Sequence, residues 1–308
     1  MDKIKKQHYV PQFYLRRFCS SDGGIFVYDK LLDRVFGSNV RDVASDRYFY
    51  DVPTIDEAVG VEQFVEKYFH PIETEAAVVL EELVVKLDSG TFRRLSEADR
   101  STLSIFLVFQ FMRTVEARQR MVQTVEKLEE RLFRDFLATK HPDLANKPFK
   151  VTLNEEEHAR LHAEHLLNYE FVTELADTIS KHLWFILVNE TSLKLFCSDN
   201  PLVKQPNISH PWRSMSGLAS KGIEIDFPIS SKYLINIGEQ TFFESLESKD
   251  GEANVIRDPE NIVFFNSLQV RDSTRQVYCE TDQFDLAKEM CRDYPDLRDP
   301  NKERVAMH

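Results

Sequence analysis

The chain has 308 residues, 42% hydrophobic and 29% charged, which is enough to bury a full core without disulfides, metals or partner strands. Its net charge of −12 excludes a general nucleic-acid coat, since non-specific binding rests on Lys and Arg displacing counterions from many phosphates; a local basic patch is still allowed. The four cysteines, Cys19, Cys197, Cys279 and Cys291, form no Cys-x-x-Cys pair, so zinc ribbons and thioredoxin-like motifs are unsupported and a reducing compartment fits best.

The first eight residues carry no apolar signal-peptide core. No apolar run approaches the roughly 20 residues that span a bilayer, so a cytoplasmic location without a membrane partner is expected. Pro11 suits the first turn of a short helix, with Phe13, Tyr14 and Phe18 on its apolar face and His8 just ahead of it. Gly23-Gly24 leads into Ile25 to Tyr28, and Arg34 to Phe36 completes the outline of a hairpin; Tyr48 to Tyr50 is expected as a third short strand.

From Asp56 the pattern turns helical. Pro71 marks a second start, Ile72, Ala76, Val79, Leu80, Leu83 and Leu87 recur at helical spacing, and Ser89-Gly90 ends the run. Ser96 with Asp99 is a capping signal for one long helix toward Phe136, and Asn154 with Glu157 opens another. Trp184 to Val188, Leu193 to Cys197, Gly222 to Phe227 and Tyr233 to Ile237 read as short strands, and residues 204–221 as a long loop. The expectation is one α+β domain over 1–308, predominantly helical, with a small N-terminal hairpin and a short antiparallel sheet in the C-terminal half. Its helical middle covers about 56–183, its strand region about 184–280, and a loosely packed tail 293–308.

Several polar residues stand where apolar ones are expected. The run from Ile105 to Met112 is apolar on every side of a helix except at Gln110, and Arg113 follows on the same face, so both need buried partners. Those partners belong either to an internal network tying helices together or to a site gripping an anionic or amide-bearing ligand. Glu73 borders the apolar stripe of its helix, as a carboxylate in a cleft or as an acid favoured by the helix dipole, while Glu75 points to solvent. Ser198-Asp199-Asn200-Pro201 follows a strand-like run, which suits a pocket and equally suits a plain turn.

His158, His162 and His165 share a helix face, but the interleaved charges favour a solvated face over a metal site. Arg160 to His165 matches a loose Arg-x4-His pattern of one ribonuclease class, too short to be specific. Glu247-Ser248-Lys249 resembles half of a restriction-type nuclease motif, without the Pro-Asp partner. Glycine-rich phosphate loops, Gly-x-Ser-x-Gly elbows and His-Glu-x-x-His are absent from the sequence.

His8-Tyr9-Val10-Pro11 with Tyr14-Leu15 and Phe18 resembles the N-terminal signature of the mainly bacterial proteins grouped as domain of unknown function 4238. Phe26 to Asp29, Ile72-Glu73 with Glu75-Ala76, Gln110 with Arg113-Thr114, Ser198 to Pro201 and Phe227 to Ser230 follow in that family's order, over about residues 6 to 280. Cys197 departs from it, since the family more often shows Thr or Ser there. The resemblance brings no established activity. It implies that His8, Glu73, Gln110, Arg113, Asp199 and Asn200 meet in space.

A His, two carboxylates, an Arg and two amides suggest a hydrolase of phosphodiester bonds in nucleic acid or a nucleotide. In that reading His8 is general acid or base, Glu73 and Asp199 hold a divalent cation (Mg or Mn) or activate water, Gln110, Asn200 and Ser198 bind substrate, and Arg113 stabilises negative charge. The competing reading is a non-catalytic sensor or interaction protein whose polar cluster is a structural network. A small-molecule transferase is a third, which no residue selects.

Overall fold

A strand of three residues, β1 (Lys6–His8), opens the chain, followed by the single-turn helix α1 (Gln12–Leu15) that Pro11 starts and a hairpin of β2 (Ile25–Asp29) and β3 (Arg34–Ser38). This computed structural model describes residues 3–145, 147–212 and 214–305. Strand β4 (Ser45–Arg47) pairs antiparallel with β1, Gln7 opposite Asp46. The hairpin falls where expected. The third strand lies at 45–47 instead of 48–50, because Ala44 and Tyr48 take left-handed φ values of 50° and 54° and leave extended geometry on either side of it.

Helices α2 (Pro53–Val59), α3 (Phe64–Tyr68) and α4 (His70–Asp88) follow. Pro71 lies in the first turn of α4, and Gly90, at φ 68°, follows its end as the sequence indicates. Ala76, Leu80 and Leu83, spaced by four and three, are its buried stripe. Helix α5 (Glu97–Met112) starts at Ser96, whose hydroxyl accepts from the Asp99 amide at 3.1 Å.

The single long helix expected through Phe136 is two helices. Thr114 is extended at φ −77° and ψ 162°, and its hydroxyl accepts from the Ala117 amide at 3.2 Å to cap a new helix, α6 (Val115–Lys140). Helices α7 (Pro142–Ala145), α8 (Glu155–Leu166), opened by the Asn154–Glu157 capping box, and α9 (Tyr169–Ser180) complete the helical middle. Arg113, the last residue before this break, is the C-cap of α5.

Helix α5 is the centre of the core. Leu103, Phe106, Leu107, Val108, Phe109 and Met112 are all buried, and the Phe106 ring meets Phe13 at 5.7 Å and Phe227 at 6.1 Å. Burying one such side chain stabilises the fold by about 1.5–3 kcal/mol, so this helix anchors the N-terminal segment on one side and the sheet on the other.

The C-terminal half supplies β5 (Leu183–Asn189), β6 (Cys197–Ser198), β7 (Val203–Pro206), β8 (Ile223–Pro228), β9 (Tyr233–Gly238), β10 (Ala253–Ile256), helix α10 (Pro259–Asp272), β11 (Gln276–Cys279) and helix α11 (Asp285–Asp293). A five-stranded sheet runs β10-β5-β9-β8-β7, parallel only between β10 and β5. A four-stranded antiparallel sheet runs β3-β2-β11-β6, so the early hairpin is completed by strands from the other end of the chain. With helix at 47% against strand at 16%, and strands mostly antiparallel, the fold is α+β. The run from Leu193 contributes only its last residue to β6, and β7 takes the start of the expected long loop.

Residues 302–304 are held against α6. Arg304 Nε donates to Glu116 at 2.8 Å, Gln123 donates to the Lys302 carbonyl at 3.1 Å, and Lys127 pairs with Glu303. The four cysteines are free, and Cys197, Cys279 and Cys291 are buried. Among the described residues no helix is long and apolar enough to cross a membrane.

Candidate functional site

Arg113 stands at the α5–α6 break with its side chain 3% exposed. Its Nη1 donates to Glu73 Oε1 at 2.5 Å, its Nη2 to the His8 carbonyl at 2.6 Å and its Nε to the Tyr50 hydroxyl at 3.3 Å. The Phe69 ring lies 4.2 Å from the guanidinium carbon. Burial works against the charge, but Tyr50 and Glu73 more than offset it, so Arg113 stays cationic. Burial pushes Tyr50 up to about 12; it is a neutral phenol that donates in turn to the Arg113 carbonyl at 2.8 Å.

Beside this centre an open cleft of about 250 Å³ is lined by His8, Gln12, Glu66, His70, Glu73 and Arg113, with Pro11 and Phe13 at its edge. His8 reaches it because β1 pairs with β4 and because Gln7, the residue before it, is locked by bonds to Asp51 and to the Tyr50 amide, each 2.6 Å. Burial holds His8 below its ordinary value, Lys6 and Arg113 add to this, and the Val40 carbonyl and Glu73 oppose it. The ring is therefore neutral near pH 7. Its Nε2 lies 3.3 Å from the Val40 carbonyl and its Nδ1 3.5 Å from the Gln12 amide nitrogen, which assigns the proton to Nε2 and leaves Nδ1 as acceptor.

Glu66 carries the strongest signal in the cleft. Its Oε2 is buried without a hydrogen-bond partner, and burial pushes its carboxyl up to about 7, with Glu73 and Asp51 adding and Arg113 opposing. A carboxyl poised there exchanges protons near neutral pH. Glu66 is not among the residues that stand out in the sequence. The available signal was its spacing: Glu66 precedes Glu73 by seven residues, two helical turns, and α3 runs into α4 through Phe69 in helical geometry at φ −76°, ψ −24°.

Gln110 lies behind this cleft, not in its wall. Its Nε2 donates to the Tyr9 carbonyl at 3.0 Å, fixing the N-terminal segment against α5, while its Oε1 is buried without a partner. Glu75 is exposed, as expected.

Ser198, Asp199 and Asn200 form a second cluster. Asp199 accepts from three backbone amides, Thr274 at 2.8 Å, Arg275 at 2.7 Å and Gln276 at 2.8 Å, and so holds the turn between α10 and β11. Burial raises its carboxyl above the ordinary value, while Lys30 and those amides pull the other way. Ser198 donates to Gln269 at 2.8 Å. Asn200 donates to the Asp272 carbonyl at 3.0 Å and accepts from Thr114 at 3.1 Å, so it joins this turn to the α5–α6 break. The expected meeting place is thus two places joined through Thr114: His8, Glu73 and Arg113 share the cleft, and Asp199 and Asn200 do not line it.

Glu73 and Asp199, the expected cation ligands, stand apart. One faces a guanidinium and the other backbone amides, and among the described residues no three His, Cys, Asp or Glu side chains are grouped to hold a metal.

The histidine face of α8 is only partly solvated. His162 is buried, accepting at Nδ1 from Arg118 Nε at 3.0 Å and donating from Nε2 to the Met112 carbonyl at 2.8 Å. It is a neutral wedge under the α5–α6 break. Glu247 to Lys249 lie in an exposed 3-10 turn, not on a strand.

Comparison with known proteins places the chain in a family. A family model described as "Protein of unknown function (DUF4238)" matches residues 6–283. Neither a curated protein nor a solved structure matches.

Proposed function

The chain belongs to the DUF4238 family, and from that premise we propose that it is an intracellular hydrolase of phosphodiester bonds, working by acid–base chemistry in the cleft of His8, Glu66, Glu73 and Arg113. The observation that carries this reading is Glu66: a carboxyl held near 7, without a partner on its buried oxygen, in the same cleft as a neutral imidazole. Neutral His8 takes a proton from the attacking water at Nδ1, and protonated Glu66 gives one to the leaving oxygen. Arg113 lines the same cleft, and its guanidinium charge stabilises the negative charge that develops on the phosphoryl group. Glu73 holds the guanidinium in place. No step is assigned to a metal ion.

The test is incubation of the purified chain with RNA, single- and double-stranded DNA, cyclic and dinucleotide substrates, in chelator and with Mg²⁺ or Mn²⁺. Cleavage supports the proposal, and an untouched panel under all three conditions defeats it.

A second reading is favoured by a different observation. Gln110, Arg113, Asp199 and Asn200 each make at least one hydrogen bond to backbone groups of residues 8–9 or 272–276. In that reading the signature residues are a clasp, and the protein is a non-catalytic sensor or interaction module. Removing the clasp residues then lowers stability and Glu66 is dispensable.

A further inference from the structure

On the other side of the α5–α6 break lies a second cavity, of about 270 Å³, which has no part in the acid–base cleft. Asn200 of the signature borders it, so do Phe111 and Glu116 from the two helices at the break, and Lys302 and Arg304 of the C-terminal segment close one wall. Five of its lining side chains are cationic and three acidic, a net positive wall in a chain of net charge −12.

Most of these charges are accounted for. Arg304 is spent on Glu116, which also takes Arg120 at 3.3 Å; Arg271 is spent on Asp272, Gln205 and the Lys204 carbonyl. Lys302 donates to the Arg271 carbonyl at 3.1 Å. Lys204 is the exception. Its ammonium sits over the Phe111 ring at 4.3 Å and has no hydrogen bond or ion pair among the described residues. Lys204 is half-buried, and its ammonium is the cation of this wall that no acceptor neutralises, so an anion entering the cavity meets an available positive charge.

We propose that this cavity binds a small phosphate-bearing anion, either free phosphate or a phosphate monoester, with Lys204 as its principal cation and the Arg120 guanidinium and Asn200 beside it. A dianion matches the net positive wall better than a monocarboxylate does. The volume lies just under the usual 300–1,000 Å³ of small-molecule pockets, which admits a small metabolite and excludes a nucleic-acid strand. Burial and the nearby Arg120 push Lys204 down to about 8, with Asp272 opposing, so the ammonium is still largely charged near pH 7. The site does not rest on the hydrolase reading. Four of its lining residues, Leu297, Lys302, Glu303 and Arg304, lie beyond residues 6–283, which the family match covers.

The experiment is calorimetric titration of the full chain, at constant ionic strength, with inorganic phosphate, a sugar phosphate monoester and acetate. Saturable one-to-one binding of phosphate or the monoester is expected, with acetate at least about tenfold weaker. Tighter binding of the monoester identifies the ester as the ligand, and equal binding identifies free phosphate. Lys204→Met, with an unchanged melting profile, weakens binding about tenfold or more, and Lys204→Arg retains it. If Lys204→Met fails to fold, the half-exposed Arg120→Met replaces it and lowers affinity in the same direction. Absence of binding in the millimolar range by both phosphate probes, acetate binding as well as phosphate, or binding indifferent to the substitutions overturns the proposal.

Discussion

Arg113 and Glu73 are joined at 2.5 Å across two helices, and the same guanidinium holds the His8 carbonyl at 2.6 Å. One side chain thereby fixes the N-terminal segment, a wall of the cleft and the break between α5 and α6. Arg113→Met leaves Glu73 without its cation and the His8 carbonyl without its donor. Unfolding in urea should show a loss of roughly 3 kcal/mol, as for breaking other buried pairs. Glu73→Gln keeps a hydrogen-bond acceptor a quarter exposed to water and should cost clearly less. Equal stability of Arg113→Met and the parent chain counts against the clasp.

Glu66 makes a signed prediction about pH. Its folded value of about 7 lies above its ordinary 4.5, so between them the folded chain binds more protons than the unfolded one. Stability from this group is complete below about 4.5 and is lost as pH rises through about 7, by roughly 3 kcal/mol at most. Glu66→Gln removes the dependence. The variant should gain stability relative to the parent chain as pH rises across that window; a constant difference contradicts a raised Glu66.

His162 acts with the opposite sign. Burial and Arg118 hold it well below 6.5, so the unfolded chain takes up the extra proton and stability falls as pH drops through 6.5. His162→Gln weakens the protein near neutral pH by leaving Arg118 or the Met112 carbonyl short of a partner, and the gap to the parent chain should close as the pH falls below 6.5. Thermal melts of both chains at stepped pH measure it.

Asp199 is expected to be structural. Asp199→Ala leaves three backbone amides without their acceptor, the Thr274 amide buried and the other two partly so, at about 1–3 kcal/mol for each that stays dry. The variant should be largely unfolded or melt on the order of 10 °C lower, with Asp199→Asn in between. A well-folded Asp199→Ala chain refutes this assignment.

How far the sequence carried these conclusions can be followed residue by residue. Gln110 stood out because an amide in an all-apolar helical run must find a partner, and it found the Tyr9 carbonyl. The hairpin, the Ser96 cap and the Asn154–Glu157 box were legible because their signals are local. The break at Thr114 was not, since the apolar spacing runs on across it and only a cap hydroxyl and the pull of Glu73 on Arg113 reveal it. His162 shares its helix face with charged neighbours, so its burial depends on Arg118 arriving from another helix. Glu66 and Lys204 escaped notice for a similar reason. What distinguishes each is a partner it lacks, and missing partners are a property of the tertiary structure.

The most direct test of the acid–base site is the rate of phosphodiester hydrolysis by Glu66→Gln against the parent chain, on whichever substrate of the panel is cleaved, with melting curves taken on the same samples. The site predicts a fall of about 10²-fold or more at pH 7 with no loss of stability. Unchanged turnover by a folded Glu66→Gln chain would contradict it.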